Sequence, residues 1–165
     1  VYKRQPQLGE PPRFARFYPR QMQAEQLYES LLTATQADRG DEAEAARQRD
    51  RWLSQFVIAF GTDEGDDATT FNGSIPQVLM LFNGDLIKTA TRLDRGGFLD
   101  KVANGPLRNR EKINALYLAA LARQPTAREL REANQLLLAR KGEAAEALQD
   151  VWWALLNSNE FILNH

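Results

Sequence analysis

Ile113-Asn-Ala-Leu116-Tyr117-Leu-Ala-Ala120-Leu121-Ala-Arg-Gln124-Pro125-Thr126-Ala-Arg-Glu129-Leu130 is the stretch that decides the fold class. Ile113, Leu116, Tyr117, Ala120 and Leu121 recur at steps of three and four, so they share one face of a helix. Gln124-Pro125 ends it, because proline has no amide proton to give and pushes the residue before it out of helical geometry. Thr126 followed three positions later by Glu129 is a capping box, so a second helix starts at once. Its stripe is Leu130, Ala133, Leu137 and Leu138, ending near Gly142. Leu148, Val151, Trp152, Leu155 and Leu156 form the last long stripe. Asn157-Ser158-Asn159-Glu160 then reads as a stop and a new cap before Phe161, Ile162 and Leu163.

The same period extends toward the N-terminus. Leu27, Tyr28, Leu31 and Leu32 predict a helix from Ala24 to near Thr35. Asp41 is a candidate cap for the next one. In that helix Trp52, Leu53, Phe56, Val57 and Phe60 face one way, Arg47 to Arg51 form a charged outer face, and Gly61 suits the end. Ser74-Ile-Pro-Gln77 is a helix start. Val78, Leu79, Leu81 and Phe82 follow as a short apolar helix expected in the centre of the core. Asn83-Gly84 stops it and Asp85 is the candidate cap of the next, which turns Leu86, Ile87, Ala90 and Leu93 inward. Gly96-Gly97 interrupts, Phe98, Leu99 and Val102 make another short helix, and Asn104-Gly105-Pro106 ends it. No segment alternates as a strand does. The expectation is an all-α, irregular multi-helix bundle of about six to eight helices, with an extended, proline-containing arm over residues 1–20 and a single helical domain over 21–165.

The arm holds Pro6, Pro11, Pro12 and Pro19, which favour extended chain. It also carries Lys3, Arg4, Arg13, Arg16 and Arg20 against Glu10 alone, with Phe14, Phe17 and Tyr18 among them. Such a segment can strap an anion or a nucleic acid. The favoured alternative is an arm pinned to the helical body by its rings, its arginines pairing surface acids, since no RNA-binding motif accompanies it. Arg13, Arg16 and Arg20 are candidate partner contacts. So is Trp153: adjacent indoles at 152 and 153 point about 100° apart on a helix, so one fills the core and the other is half-exposed. That second ring packs on another segment of the chain or meets a partner or a sugar ring.

Composition removes many chemistries. The 165 residues include no cysteine and one histidine, His165. Disulfides, thiol catalysis, zinc–thiolate and iron–sulfur sites are excluded, as are two-histidine metal sites and covalent haem attachment. A serine–histidine–acid triad is disfavoured. The net charge of −1 argues against nucleic acid as a partner. No apolar run approaches the ~20 residues of a membrane-spanning helix, and no signal-peptide pattern is present. Starting at Val1 suggests a processed product or a fragment. No phosphate loop, nucleophile elbow or metalloprotease motif occurs, so no catalytic residue is assigned. No cofactor is expected apart from calcium, for which Asp63, Glu64, Asp66 and Asp67 in the loop from Gly61 to Ser74 are candidate ligands. Their spacing does not match a helix–loop–helix calcium site. A solvated loop, or one beside a helix N-terminus, is the plainer reading.

Four blocks, read in order, carry a resemblance. They are Phe17-Tyr-Pro-Arg-Gln-Met-Gln-Ala-Glu-Gln-Leu-Tyr-Glu-Ser-Leu-Leu32, Thr70-Phe-Asn-Gly-Ser-Ile-Pro-Gln-Val-Leu-Met-Leu-Phe-Asn-Gly84, Ala115-Leu-Tyr-Leu-Ala-Ala-Leu-Ala-Arg-Gln-Pro-Thr126 and Trp153-Ala-Leu-Leu-Asn-Ser-Asn-Glu-Phe-Ile-Leu-Asn-His165. Together they resemble the C-terminal domain of large planctomycete proteins in which a second planctomycete-specific domain precedes it, often with a cytochrome c-like domain further upstream. The resemblance implies the C-terminal module of an exported multidomain protein, extracytoplasmic (periplasmic or cell-surface). Together with the missing chemical motifs and the fragment-like start, it points to a non-catalytic docking or scaffold role, with the preceding domain or another surface protein as partner. The alternative it leaves is an accessory part of an extracellular polysaccharide-acting or redox enzyme, with the acidic loop 63–67 and nearby Asn72 contributing to a ligand or calcium site. It supplies no catalytic residues, and haem binding does not transfer to a chain without cysteine. Leu116-Tyr117, Leu121, Arg123, Pro125-Thr126, Glu129 and Ser158-Asn-Glu-Phe161 also resemble a helical module of bacterial surface proteins.

Overall fold

Trp152 marks the centre of the molecule. It sits on α8 (Ala144–Leu156) and is fully buried with Ala147, Leu148 and Leu156 on the same face. The computed structural model describes residues 20–39, 42–60, 80–94, 96–140 and 143–164. Their order is a two-residue strand β1 (Arg20–Gln21), α1 (Ala24–Thr35), α2 (Glu42–Phe60), the described end of α3 at 80–83, α4 (Asp85–Ala90), α5 (Phe98–Asn104), α6 (Asn109–Leu121), α7 (Ala127–Ala139), α8, α9 (Asn159–Ile162) and β2 (Leu163–Asn164). The protein is therefore an all-α, irregular multi-helix bundle, with eight helices whose two ends both lie among the described residues.

Helix α8 packs against α5, α6 and α7, and α1 packs against α2 and α6. One core results, with Leu27, Leu31, Trp52, Phe56, Leu86, Ile87, Leu99, Ile113, Leu116 and Leu148 among its most buried side chains. Burial of this kind is the main favourable term, worth roughly 1.5–3 kcal/mol for each large apolar side chain. Trp152 adds direction. Its Nε1–H donates to the Ala90 carbonyl at 3.2 Å, and Gln149 Nε2 donates to the Thr91 carbonyl at 2.6 Å. Both acceptors lie at the C-terminal end of α4, where carbonyls have no partner within the helix. Phe98 of α5 closes on the same indole, with ring centroids 5.3 Å apart.

The caps follow the sequence, with some differences. Thr126 begins α7 as expected, its side chain accepting from the Glu129 N–H while Glu129 accepts from the Thr126 N–H. Ser158 caps α9 by accepting from the Phe161 N–H, and the Phe161 ring is buried. Asp85, expected as a cap, is instead the first helical residue of α4, and Gly84 holds the cap position. Phe82 is 43% exposed rather than central, while its neighbours Leu81, buried, and Met80, partly buried, turn toward the core. Leu138 is 78% exposed. With three consecutive leucines at 136–138, the stripe continues through Ala133 and Leu137, and the next position points outward.

The segment before α1 meets the segment after α9. Arg20 pairs with Asn164 and Gln21 with Leu163 in an antiparallel bridge, and Met22 N donates to the Ile162 carbonyl at 3.4 Å. Arg20, assigned to the arm by composition, is thus part of this bridge. The rest of the arm and the 61–74 loop lie outside the described residues, as do the helix starts at Asp41 and Ser74. No helix among the described residues is long and apolar enough to cross a membrane.

Candidate functional site

A groove of about 380 Å³ runs between α6, α7, α8 and α9. Its floor is apolar, formed by Ala133 and Leu136 of α7 and by Val151, Ala154 and Leu155 of α8, with Tyr117 of α6 at one side. Four carboxylates line it as well: Glu129, Glu132, Asp150 and Glu160.

Arg123 organises one end. Helix α6 finishes with Ala122 in the left-handed region, φ 52°, its N–H donating to the Leu118 carbonyl at 3.1 Å. This sharp exit and Pro125 keep the connection to α7 short, so Arg123 lies near both α7 and α9. All five N–H donors of its guanidinium are engaged. Nε and Nη2 donate to the two oxygens of Glu160 at 2.5 and 2.7 Å. Nη2 and Nη1 donate to the two oxygens of Glu129 at 2.8 and 3.0 Å, and Nη1 reaches the Gln124 carbonyl at 3.1 Å. Its Cζ also lies 5.6 Å from the centre of the Tyr117 ring, within cation–π range. One residue thereby ties three elements together through paired, charge-assisted hydrogen bonds.

Arginines hold the other carboxylates. Arg140, at the end of α7, donates to Glu146 at 2.9 Å and also to Asp150 of α8. Arg128 donates to Glu132 at 2.7 Å one turn further along α7. The electrostatics follow. Hydrogen bonds from Arg123 hold the Glu129 carboxyl down at about 2, against the opposing effect of burial and with help from the Thr126 N–H. Burial raises the Tyr117 hydroxyl above its usual value, and the Glu129 charge adds to that. Glu129 therefore stays an anion and Tyr117 stays protonated at neutral pH, leaving neither suited to move a proton there.

A second hollow of about 320 Å³ lies between α1, α6 and α9, lined by small residues such as Ser30, Ala34, Ala119 and Ala120, with Phe161 beside them. On another surface Trp153 is 37% exposed. Its ring lies 5.2 Å from that of Phe82 at a tilt of 49°, and its Nε1 donates to the Phe82 carbonyl at 3.4 Å. The two indoles divide as the sequence predicts: Trp152 in the core, Trp153 half-exposed and packed on another segment of the chain.

Arg13, Arg16 and the calcium candidates Asp63, Glu64, Asp66 and Asp67 lie outside the described residues; of Arg20 only the backbone is described. Among the described residues, no three His, Asp or Glu side chains come together as a metal site. The Arg123 cluster is absent from the sequence reading. Its weak signal is the Arg-x-Pro-Thr-x-x-Glu spacing, in which the glutamate of the capping box also serves as an arginine acceptor. Arg123 and Glu129 meet Glu160, distant in the sequence, here. The chain matches no protein-family model, no curated protein and no solved structure.

Proposed function

We propose that this chain is a non-catalytic docking module of a multidomain exported protein, and that the groove between α6, α7, α8 and α9 receives the preceding domain or another surface protein. One observation carries the reading. The groove joins an apolar floor to a rim of carboxylates that arginines already hold in place. A fixed polar rim around an apolar centre is how protein-binding surfaces are built. Acid–base catalysis instead needs a group poised to exchange a proton near the working pH, and Glu129 and Tyr117 are pushed away from that range. The resemblance to the planctomycete C-terminal domain supplies the partner and the extracytoplasmic location. The alternative, an accessory role in a polysaccharide-acting or redox enzyme, draws on loop 63–67 and gains no support from the groove.

The test is a calorimetric titration of this chain with the separately prepared preceding domain of its parent. Saturable binding at micromolar concentration is expected. No heat of association at 1 mM of either component would overturn the reading; this corresponds to less than about 4 kcal/mol of binding.

A further inference from the structure

We propose that Asn104-Gly105, at the end of α5, is a self-modification site: the Gly105 nitrogen closes on the Asn104 side-chain amide, and the residue converts to aspartate and isoaspartate without an enzyme. The inference is independent of the docking reading.

The chemistry needs only this chain and water. The Gly105 backbone nitrogen attacks Asn104 Cγ. A new Cγ–N bond closes a five-membered succinimide, and the bond from Cγ to Nδ2 breaks. Nδ2 leaves as ammonia, taking the equivalent of the proton that the Gly105 nitrogen gives up. Water then opens the ring at either carbonyl. One opening gives aspartate; the other routes the main chain through the side chain as isoaspartate. Nothing is oxidised or reduced. Glycine in the second position favours ring closure, because no Cβ hinders the approach and its backbone turns freely.

The fold selects one pair. The sequence holds Asn-Gly at 72, 83 and 104, of which the first lies outside the described residues. Asn83 and Asn104 are both exposed and both end a helix, so access to water does not separate them. The attacking nitrogen does. The Gly84 N–H donates to the Met80 carbonyl at 2.8 Å, and the Gly84 carbonyl accepts from the Lys88 N–H at 3.0 Å. That nucleophile is tied down on both sides of the junction between α3 and α4. The Gly105 N–H has no well-aligned acceptor among the described residues. Gly105 is extended, φ −73° and ψ 168°, as the following Pro106 favours. Helix α5 has only seven residues, so its last turn opens at low cost.

Conversion has a structural consequence. Asn104 Nδ2 donates to Asp100 Oδ1 at 2.6 Å, while Asp100 Oδ2 accepts from the Gly96 N–H at 2.8 Å. Asp100 therefore links the segment before α5 to its last residue. Aspartate at 104 removes the donor and sets two negative charges one turn apart at a helix C-terminus, where the helix dipole also opposes them. Buried Val102 and Ala103 belong to that last turn, and the Ala103 carbonyl holds Lys112 Nζ of α6 at 2.6 Å. The modification therefore loosens α5 where it packs on α6 and α8.

The test incubates the full chain at mildly alkaline pH, folded and in concentrated urea. Peptide mapping by mass spectrometry then reads conversion at each asparagine. In the folded protein, Asn104 should convert about tenfold faster than Asn83 or more; in urea the two rates should agree within about threefold, because both pairs are then unconstrained. The products at 104 should include isoaspartate, which simple hydrolysis of the side-chain amide does not give. The variant Asn104→Asp should melt about 2 °C below the parent chain. Equal rates at 83 and 104 in the folded protein, or aspartate alone as the product, overturns the site. An Asn104→Asp variant that melts at or above the parent chain overturns its structural consequence.

Discussion

Arg123 is the residue on which the C-terminal half turns. Partly exposed single ion pairs contribute little, but here one side chain satisfies two carboxylates and a carbonyl at once. Arg123→Ala removes all five hydrogen bonds and leaves Glu129 and Glu160 repelling each other. The expected cost is about 2 kcal/mol, a fall in melting temperature of roughly 4–8 °C for a chain of this size. Arg123→Lys should restore less than half of it, because a point charge cannot reproduce the paired geometry; thermal melts of the three proteins decide this. Glu129 gives a pH signature. Its carboxyl titrates at about 2 in the fold against 4.5 ordinarily. Its contribution is complete above about pH 4.5 and is lost as pH falls toward 2. Glu129→Gln should flatten the stability profile across that window while lowering stability at neutral pH. Tyr28 acts at the other limit. Burial pushes its hydroxyl up to about 12, and that group donates to the Arg49 carbonyl at 2.9 Å. The stability it adds is present below pH 10 and lost as pH rises toward 12, so Tyr28→Phe should remove that alkaline dependence.

Elements were legible where sequence alone determines local geometry. The Thr126 capping box, the Ser158 cap, the proline stop and the stripes on α1, α6 and α8 all depend on neighbours within one turn. What was not legible depends on packing. Leu138 and Phe82 sit at sequence positions that fit an apolar stripe, and only the neighbouring helices decide which of several adjacent apolar side chains turns inward. The groove was hidden for the same reason, since Arg123 and Glu160 are 37 residues apart. Two glycines that look alike as helix breakers differ in space. A Cβ at Gly84 would meet the Met80 carbonyl oxygen at 2.5 Å, whereas at Gly97 nothing lies within 4 Å. Gly84→Ala should destabilise by more than about 1 kcal/mol, while Gly97→Ser should gain up to about 0.5 kcal/mol by capping α5; denaturant titrations measure both. The two buried tryptophans divide similarly. Trp152→Phe loses packing and strands the Ala90 carbonyl, whereas Trp52 Nε1 has no hydrogen-bond partner among the described residues. Trp152→Phe should therefore cost at least about 1 kcal/mol more than Trp52→Phe.

Across the whole molecule, stability is distributed unevenly. Among the described residues, helices α6 and α8 are surrounded by other elements, while α2 packs chiefly against α1 and leaves Ile58 exposed and Val57 half-exposed. Amide exchange should accordingly be slowest in α6 and α8 and faster along α2. The end where α6, α7, α8 and α9 pack together also carries the groove, as the proposed docking role requires. Under the proposed docking role, the held rim carboxylates serve as a polar border for a bound partner. Ala154 offers the most direct test, because it is exposed on α8 in the floor of the groove. Arginine at that position fills the cleft without disturbing the core or the helix. The account predicts that Ala154→Arg melts within about 2 °C of the parent chain but binds the preceding domain at least tenfold more weakly. Binding equal to that of the parent chain would contradict it.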